Sequence, residues 1–194
     1  MKKNVKTIAI VILLALPFMP GCDVEAPPIE NEEEVIDLVR LTFTPSVGDA
    51  IVFEAKDMDG AGAEDFTIPK IVLSNNTTYS LSIEVENAQT AEDITTEISA
   101  EAEDHLFLFE WTEGIFLDPL GNGNVDNRDD TVVYTDSDVN QLPLGLSTSW
   151  STGDPYLAAQ FRFVLKHQPS IKSASSTIDD GVTDIDLSWV LDIM

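Results

Sequence analysis

In the stretch Ile185-Asp-Leu-Ser-Trp-Val-Leu-Asp-Ile193, apolar and polar side chains alternate except at Val190. Alternation at every second position places one set of side chains on each face of a β-strand. The stretch from residue 157 to 165 repeats the pattern, and its apolar face is formed by Leu157, Ala159, Phe161, Phe163 and Leu165. Both stretches predict antiparallel strands that pack one face on a core.

Shorter runs predict further strands over residues 39–43, 51–55, 79–85, 106–111, 131–134 and 146–150. The run 106–111 is apolar on both faces except at Glu110, which is typical of a central strand. One segment has helical spacing instead, with Thr90 as the predicted N-cap and a helix over about 91–104. About eight strands with one inserted helix predict a mainly β fold, an immunoglobulin-like or Greek-key β-sandwich over residues 35–194.

The N-terminal 21 residues are typical of a signal peptide. Three lysines precede an apolar run, Ile8 to Leu16, that is shorter than the about 20 residues needed to span a bilayer. Gly21 precedes Cys22, the only cysteine, and this pair resembles a bacterial lipobox. We therefore predict a lipoprotein signal peptide over residues 1–21 and an acyl group such as palmitate on Cys22. The alternative is a plain signal peptide and a free thiol.

Residues 22–34 predict a tether, because Pro27 and Pro28 stiffen the segment and its glutamates keep it solvated. Acid-rich segments after a lipidated cysteine resemble surface-export signals, whereas Asp23 resembles an inner-membrane retention signal. We expect an exported protein that is lipid-anchored to the outer membrane, on its periplasmic or cell-surface face. Its partners would be the membrane, through the lipid, and an outer-membrane receptor or another envelope protein.

The charge of the chain excludes one class of partner. Thirty-five acidic residues follow Gly21, but only seven of the ten basic residues do, so this part carries a net charge of −28. Phosphate contacts need clustered Lys and Arg, and the seven are scattered. We therefore expect no nucleic-acid binding and a well-solvated acidic surface.

Both histidines of the chain are candidate metal ligands. His167 continues the apolar face of its strand, and His105 follows Glu101 by one helical turn. Two imidazoles with the carboxylate of Glu101 or Glu103 would suit zinc or copper. The alternative is that each histidine borders the core and binds a backbone carbonyl.

Asp-rich loops offer calcium as the alternative cofactor. The oxygen spacing of half a calcium loop occurs at Asp136, Asp138 and Asn140, and again at Asp57 and Asp59. Neither loop has both the glycine and the glutamate that an EF-hand requires at its sixth and twelfth positions. Such residues also occur in plain hairpin turns, because Asp and Asn bind nearby backbone groups.

No catalytic motif is present in the sequence. There is no Gly-x-Ser-x-Gly elbow and no phosphate-binding glycine loop, and Cys22 is assigned to the anchor. We therefore expect no enzymatic activity. The remaining alternative is a hydrolase with paired carboxylates, in which a buried Glu110 would have a raised pKa.

Seven short motifs together resemble a family of small bacterial lipoproteins. They are Leu41-Thr-Phe-Thr-Pro45, Asp57-Met-Asp-Gly60, Asn76-Thr-Thr-Tyr79, Glu101-Ala-Glu-Asp-His105, Tyr134-Thr-Asp-Ser-Asp138, Pro143-Leu-Gly-Leu146 and Leu165-Lys-His-Gln-Pro169. The family is commonly named type 1 periplasmic binding fold superfamily protein. That fold has two α/β lobes, which need more helices and a longer chain, so the resemblance implies a secreted lipoprotein module without known enzymatic activity.

These observations predict a non-enzymatic, lipid-anchored binding or accessory protein of the cell envelope. It would bind a divalent metal or serve an outer-membrane receptor. The alternative is a structural or adhesion module whose Asp-rich loops bind calcium for stability.

Overall fold

The computed structural model of the chain describes residues 35–57, 66–126 and 130–194. The predicted signal peptide, the tether and Cys22 lie outside these residues. Within them the chain forms ten strands and one helix. In chain order these are β1 Leu38–Pro45, β2 Ile51–Lys56, β3 Ile71–Leu73, β4 Thr78–Glu86, α1 Ile94–Ala100, β5 His105–Trp111, β6 Phe116–Asp118, β7 Val133–Tyr134, β8 Ser147–Thr152, β9 Tyr156–His167 and β10 Val182–Ile193.

The strands form two sheets, which confirms the prediction of a mainly β sandwich with a single helix. The first sheet has the order β2-β1-β4-β8-β6, with β7 also paired to β8. The second has the order β3-β10-β9-β5. All pairs are antiparallel except β3 with β10.

The core lies between the inner faces of the two sheets. The longest strands, β9 and β10, supply alternating buried side chains, because period two aims every second residue at the opposite sheet. Trp111, Trp150 and Trp189 are all buried there. Burial of these large apolar surfaces is the main stabilising contribution to the fold.

The helix begins later and is shorter than the sequence predicts. Its N-cap is Asp93 rather than Thr90, and the carboxylate of Asp93 accepts the Thr96 N–H at 3.1 Å. Asn87 and Glu92 pair through their backbones, and Ala91 has a φ of 60°, which a right-handed helix does not allow. The residues before Asp93 therefore form a turn.

The prediction of β5 as a central strand is wrong. β5 lies at an edge of its sheet. The face of β5 that points away from the core is nevertheless almost entirely buried, because loops cover it. A second small apolar cluster forms under these loops from Leu106, Leu108, Val125, Val164 and the partly buried Ile178. Both faces are apolar because loops, and not another strand, complete the burial.

Leu157 also departs from its predicted position. The other members of its predicted face are buried, whereas Leu157 is 67% exposed. The pairing register of β9 with β10 shifts between Leu191 and Ile193, and Ala158 has a φ of 57°. This irregularity turns the start of β9 and directs Leu157 to solvent.

Candidate metal centre

The two histidines lie directly opposite each other across the β5–β9 pair. His105 is the first residue of β5, His167 is the last residue of β9, and the two are register partners. Period two puts both on the core side of the sheet, where they are 1% and 8% exposed. Their rings are stacked, with centroids 4.6 Å apart and planes 10° apart.

The end of α1 brings Glu101 to this pair. Glu101 is the C-cap residue, and its N–H donates to the Glu97 carbonyl at 2.9 Å. His105 does not continue the helix as the sequence predicts, because the helix ends at Ala100 and a turn leads into β5. The turn still places the Glu101 carbonyl 3.1 Å from Nδ1 of His105.

This backbone contact selects the state of the His105 ring. A carbonyl oxygen only accepts hydrogen bonds, so Nδ1 carries the proton and the neutral ring has its lone pair on Nε2. Metal-binding histidines commonly donate their second nitrogen to a carbonyl or carboxylate in this way, which orients the ring. The hydrogen bond between Nδ1 of His105 and the Glu101 carbonyl is therefore of the kind that orients a metal-binding histidine.

Glu101, His105 and His167 form a group in which one ligand atom from each lies within 4.8 Å of the other two. Around a tetrahedral zinc with bonds of about 2.1 Å, neighbouring ligand atoms are about 3.4 Å apart. The ligand atoms of the group, which are up to 4.8 Å apart, would therefore have to move closer together to share one ion.

Burial lowers the pKa of His105. The hydrogen bond to Glu101 acts in the opposite direction, and the neighbouring His167 lowers the pKa further. Charge on this imidazole is disfavoured because the ring is removed from water beside a second ring that takes the same charge. The neutral form is the form that binds metals.

Glu103, the other candidate carboxylate, contacts a different part of the protein. It is exposed, and its Oε1 accepts a hydrogen bond from Nδ2 of Asn140 at 3.0 Å. Glu101 therefore supplies the carboxylate of the group.

The loop of Asp136, Asp138 and Asn140 uses its carboxylates internally. Asp136 accepts the N–H groups of Gly145 and Ser147 at 2.8 and 2.9 Å, and burial raises its pKa although these bonds oppose the rise. Oδ1 of Asp138 accepts the N–H groups of Asn140 and Leu142 at 2.8 and 2.9 Å. These contacts are those of an Asx turn.

Asp138 also has a partner that the sequence did not indicate. Its Oδ2 lies 3.1 Å from Nζ of Lys172, and both side chains are almost fully buried. Burial alone would raise the pKa of Asp138, but the backbone donors and Lys172 lower it. No short sequence pattern pairs Lys172 with Asp138, because the two residues lie in separate loops.

The second candidate calcium loop is described only in part. Asp57 is 6% exposed, and its N–H donates to the carbonyl of Asp37 at 2.8 Å. Asp59 lies outside the described residues. The calcium alternative at this loop stays a prediction.

A hydrolase would need carboxylates that share a concavity. An open depression of about 770 Å³ is lined by Glu84, Glu86, Asp93 and Arg40, among other residues. Both glutamates bind Nη1 of Arg40, at 2.6 and 2.9 Å, and hydrogen bonds from Thr96 lower the pKa of Asp93. Glu110 is half-exposed and binds Arg162 at 2.7 Å. Glu84, Glu86 and Glu110 are thus bound to arginines, and Asp93 is bound to Thr96.

No protein-family model, no curated protein and no solved structure matches the chain. In the part of the chain that the structure describes, no helix has the length and apolar character to cross a membrane.

Proposed function

We propose that this protein is a lipid-anchored, non-enzymatic protein of the cell envelope whose β-sandwich binds a divalent transition metal. The observation that carries the proposal is the opposition of His105 and His167 across the β5–β9 pair, with Glu101 beside them. Two imidazoles and a carboxylate within a few ångströms of one another form a common ligand set for zinc and copper.

The ligand set favours zinc or copper over calcium or magnesium, because imidazole nitrogens suit the former and the latter prefer oxygen ligands alone. Three protein ligands leave the fourth position of a tetrahedral ion to water or to a donor from a partner. Glu101 is exposed while both histidines are buried, so an ion here would be reached from the Glu101 side.

A thermal melt of the purified full chain tests the proposal. The protein is stripped with chelator and then given zinc or copper at about a hundred times the dissociation constant. Binding should stabilise the fold by about 2.7 kcal/mol, which raises the Tm of a chain of this size by about 5–10 °C. His105→Ala and His167→Ala should each greatly reduce the rise, whatever their own Tm without metal.

Glu101→Gln and Glu103→Gln form a matched pair for the carboxylate. Both remove one exposed negative charge from the same turn, but only Glu101 belongs to the group. Glu101→Gln should reduce the metal-induced shift, and Glu103→Gln should leave it unchanged. Absence of any shift with zinc and copper, or equal shifts in the wild type and in both histidine variants, would overturn the proposal.

The lipid anchor is supported by residues 1–22 of the sequence alone. A stable anchor needs more than one acyl chain, which bacterial lipoproteins provide at their first cysteine. Growth with labelled palmitate should label the wild-type protein and fail to label Cys22→Ser. Equal labelling of both would reject Cys22 as the attachment site.

A further inference from the structure

The turn that leads from α1 into β5 is held by a buried cation. Nζ of Lys172 donates to the carbonyl of Ala102 at 2.6 Å and lies 3.1 Å from Oδ2 of Asp138. The side chains of Lys172 and Asp138 are 1% and 0% exposed. Ala102 directly follows Glu101, whose own carbonyl contacts His105.

The segment that carries Lys172 fixes the same turn at two further points. The N–H of Gln168 donates to the carbonyl of Asp104 at 2.6 Å, and the N–H of Ser170 donates to the Asp104 carboxylate at 3.1 Å. This segment directly follows His167 in the chain. Three hydrogen bonds therefore tie the residues around the two histidines together, and the one from Lys172 ends at the residue next to Glu101.

Stability alone gives a weak reason for a buried ion pair, because the cost of removing two charges from water offsets most of their attraction. An apolar pair of similar volume would fill the same space. Such an apolar pair would not donate a hydrogen bond to the Ala102 carbonyl, as the ammonium of Lys172 does.

We propose that Lys172 is a positioning residue for the metal centre. By holding the Ala102 carbonyl, Lys172 fixes the turn in which the Glu101 carbonyl accepts the Nδ1–H of His105. That hydrogen bond keeps the proton on Nδ1 and the lone pair on Nε2. The part of this inference that concerns metal affinity rests on the proposed function, whereas the part that concerns the His105 tautomer does not.

The test compares Asp138→Asn with Asp138→Asn/Lys172→Met in the full chain. The single variant keeps Lys172 and retains an acceptor for the N–H groups of the Asx turn, so it is the matched control. The double variant replaces the lysine with an uncharged side chain of similar length. If the double variant does not fold, Asp138→Leu/Lys172→Met is used, because a fully apolar replacement of a buried ion pair is often tolerated.

The first readout is the tautomer of His105, measured by nitrogen-15 NMR of the imidazole rings in chelator. The wild type and the single variant should carry the proton on Nδ1, and the double variant should populate both tautomers. An unchanged tautomer in the double variant overturns the inference, irrespective of any metal.

The second readout is zinc affinity by competition with a chromophoric chelator. Loss of a supporting contact commonly reduces metal affinity by about 10–100-fold, and we expect this reduction only in the double variant. Wild-type protein that binds no zinc would overturn the proposed function, while a tautomer change in the same samples would still support the positioning of His105. Zinc bound equally by the wild type and the double variant would overturn the role of Lys172 in the metal centre.

Discussion

The histidine pair and the Asp136–Asn140 loop are both metal sites predicted from the sequence, but they use their side chains differently. In the pair, strand register brings two imidazoles face to face, and a helix end adds a carboxylate. In the loop, backbone N–H groups and Lys172 take up the carboxylates. The difference teaches that a spacing of side chains typical of metal ligands indicates a metal site only when the ligand atoms are not already bound to the protein's own backbone.

The largest effect should come from breaking the ion pair of the loop. Lys172→Met leaves the carboxylate of Asp138 buried without its cation, and the free energy of unfolding should fall by about 3–5 kcal/mol. Urea unfolding measures the loss. The free energy of unfolding should fall less in Asp138→Asn/Lys172→Met, because neither charge remains. A decrease below about 1 kcal/mol in Lys172→Met would show that the ion pair does not stabilise the loop.

Gly181→Ala should disturb the histidine pair through the backbone of His167. A Cβ on Gly181 would lie 2.1 Å from the carbonyl oxygen of His167, and the residue has a φ of 75°. Gly114 is the matched control, because its φ is 83° and an added Cβ would meet no atom within 4 Å. Both alanine variants share a left-handed backbone cost of about 1–2 kcal/mol.

The two glycine variants are compared by urea unfolding and by the zinc-induced shift in Tm. Gly181→Ala should be the less stable, and it alone should weaken the zinc shift, since the clash moves His167. Equal stability and equal zinc shifts in the two variants would mean that the backbone at His167 accommodates the methyl group without moving the ring.

The pH dependence of the metal-free protein should also report on the pair. Because the folded state lowers the pKa of His105, the unfolded state binds the proton more readily. The stability that the folded state gains by keeping His105 neutral is fully present above the unfolded-state pKa of about 6.5. It is lost as the pH falls through the lower pKa of His105 in the folded state. His105→Ala should flatten the curve of stability against pH in this window, measured by urea unfolding in chelator; an unchanged slope would contradict the assignment.

Calcium should have the smallest effect. Because Asp136 and Asp138 already accept backbone N–H groups, we expect calcium to leave the Tm of the full chain nearly unchanged, with a shift far below that of zinc. A calcium-induced rise that disappears in Asp136→Asn would instead favour the alternative of a calcium-stabilised structural module.

Much of the sandwich could be predicted from alternation, because period two needs only the identity of neighbouring residues. β3 and β6 were missed, since three residues are too few to show a period. Alternation also placed His167 on the core side. Alternation could not predict the register of β5 against β9, because that register depends on long-range pairing. Both histidines could therefore be predicted as candidate ligands, but not that they face each other.

The support of the pair could not be predicted for a related reason. Glu101 and His105 were linked by helical spacing, yet the helix ends before His105 and a turn makes the contact. Lys172 and Asp138 lie in separate loops, and no local pattern pairs them. Contacts between loops depend on the tertiary fold of the whole chain, and no short segment of the sequence contains that information.

X-ray absorption of the zinc-loaded full chain tests the central claim most directly. We predict two imidazole nitrogens at about 2.0–2.1 Å from the zinc, completed by oxygen ligands, and the loss of one imidazole in His105→Ala and in His167→Ala. A zinc shell made only of oxygen atoms, or a spectrum unchanged in both variants, would contradict the assignment of the histidine pair as the metal centre.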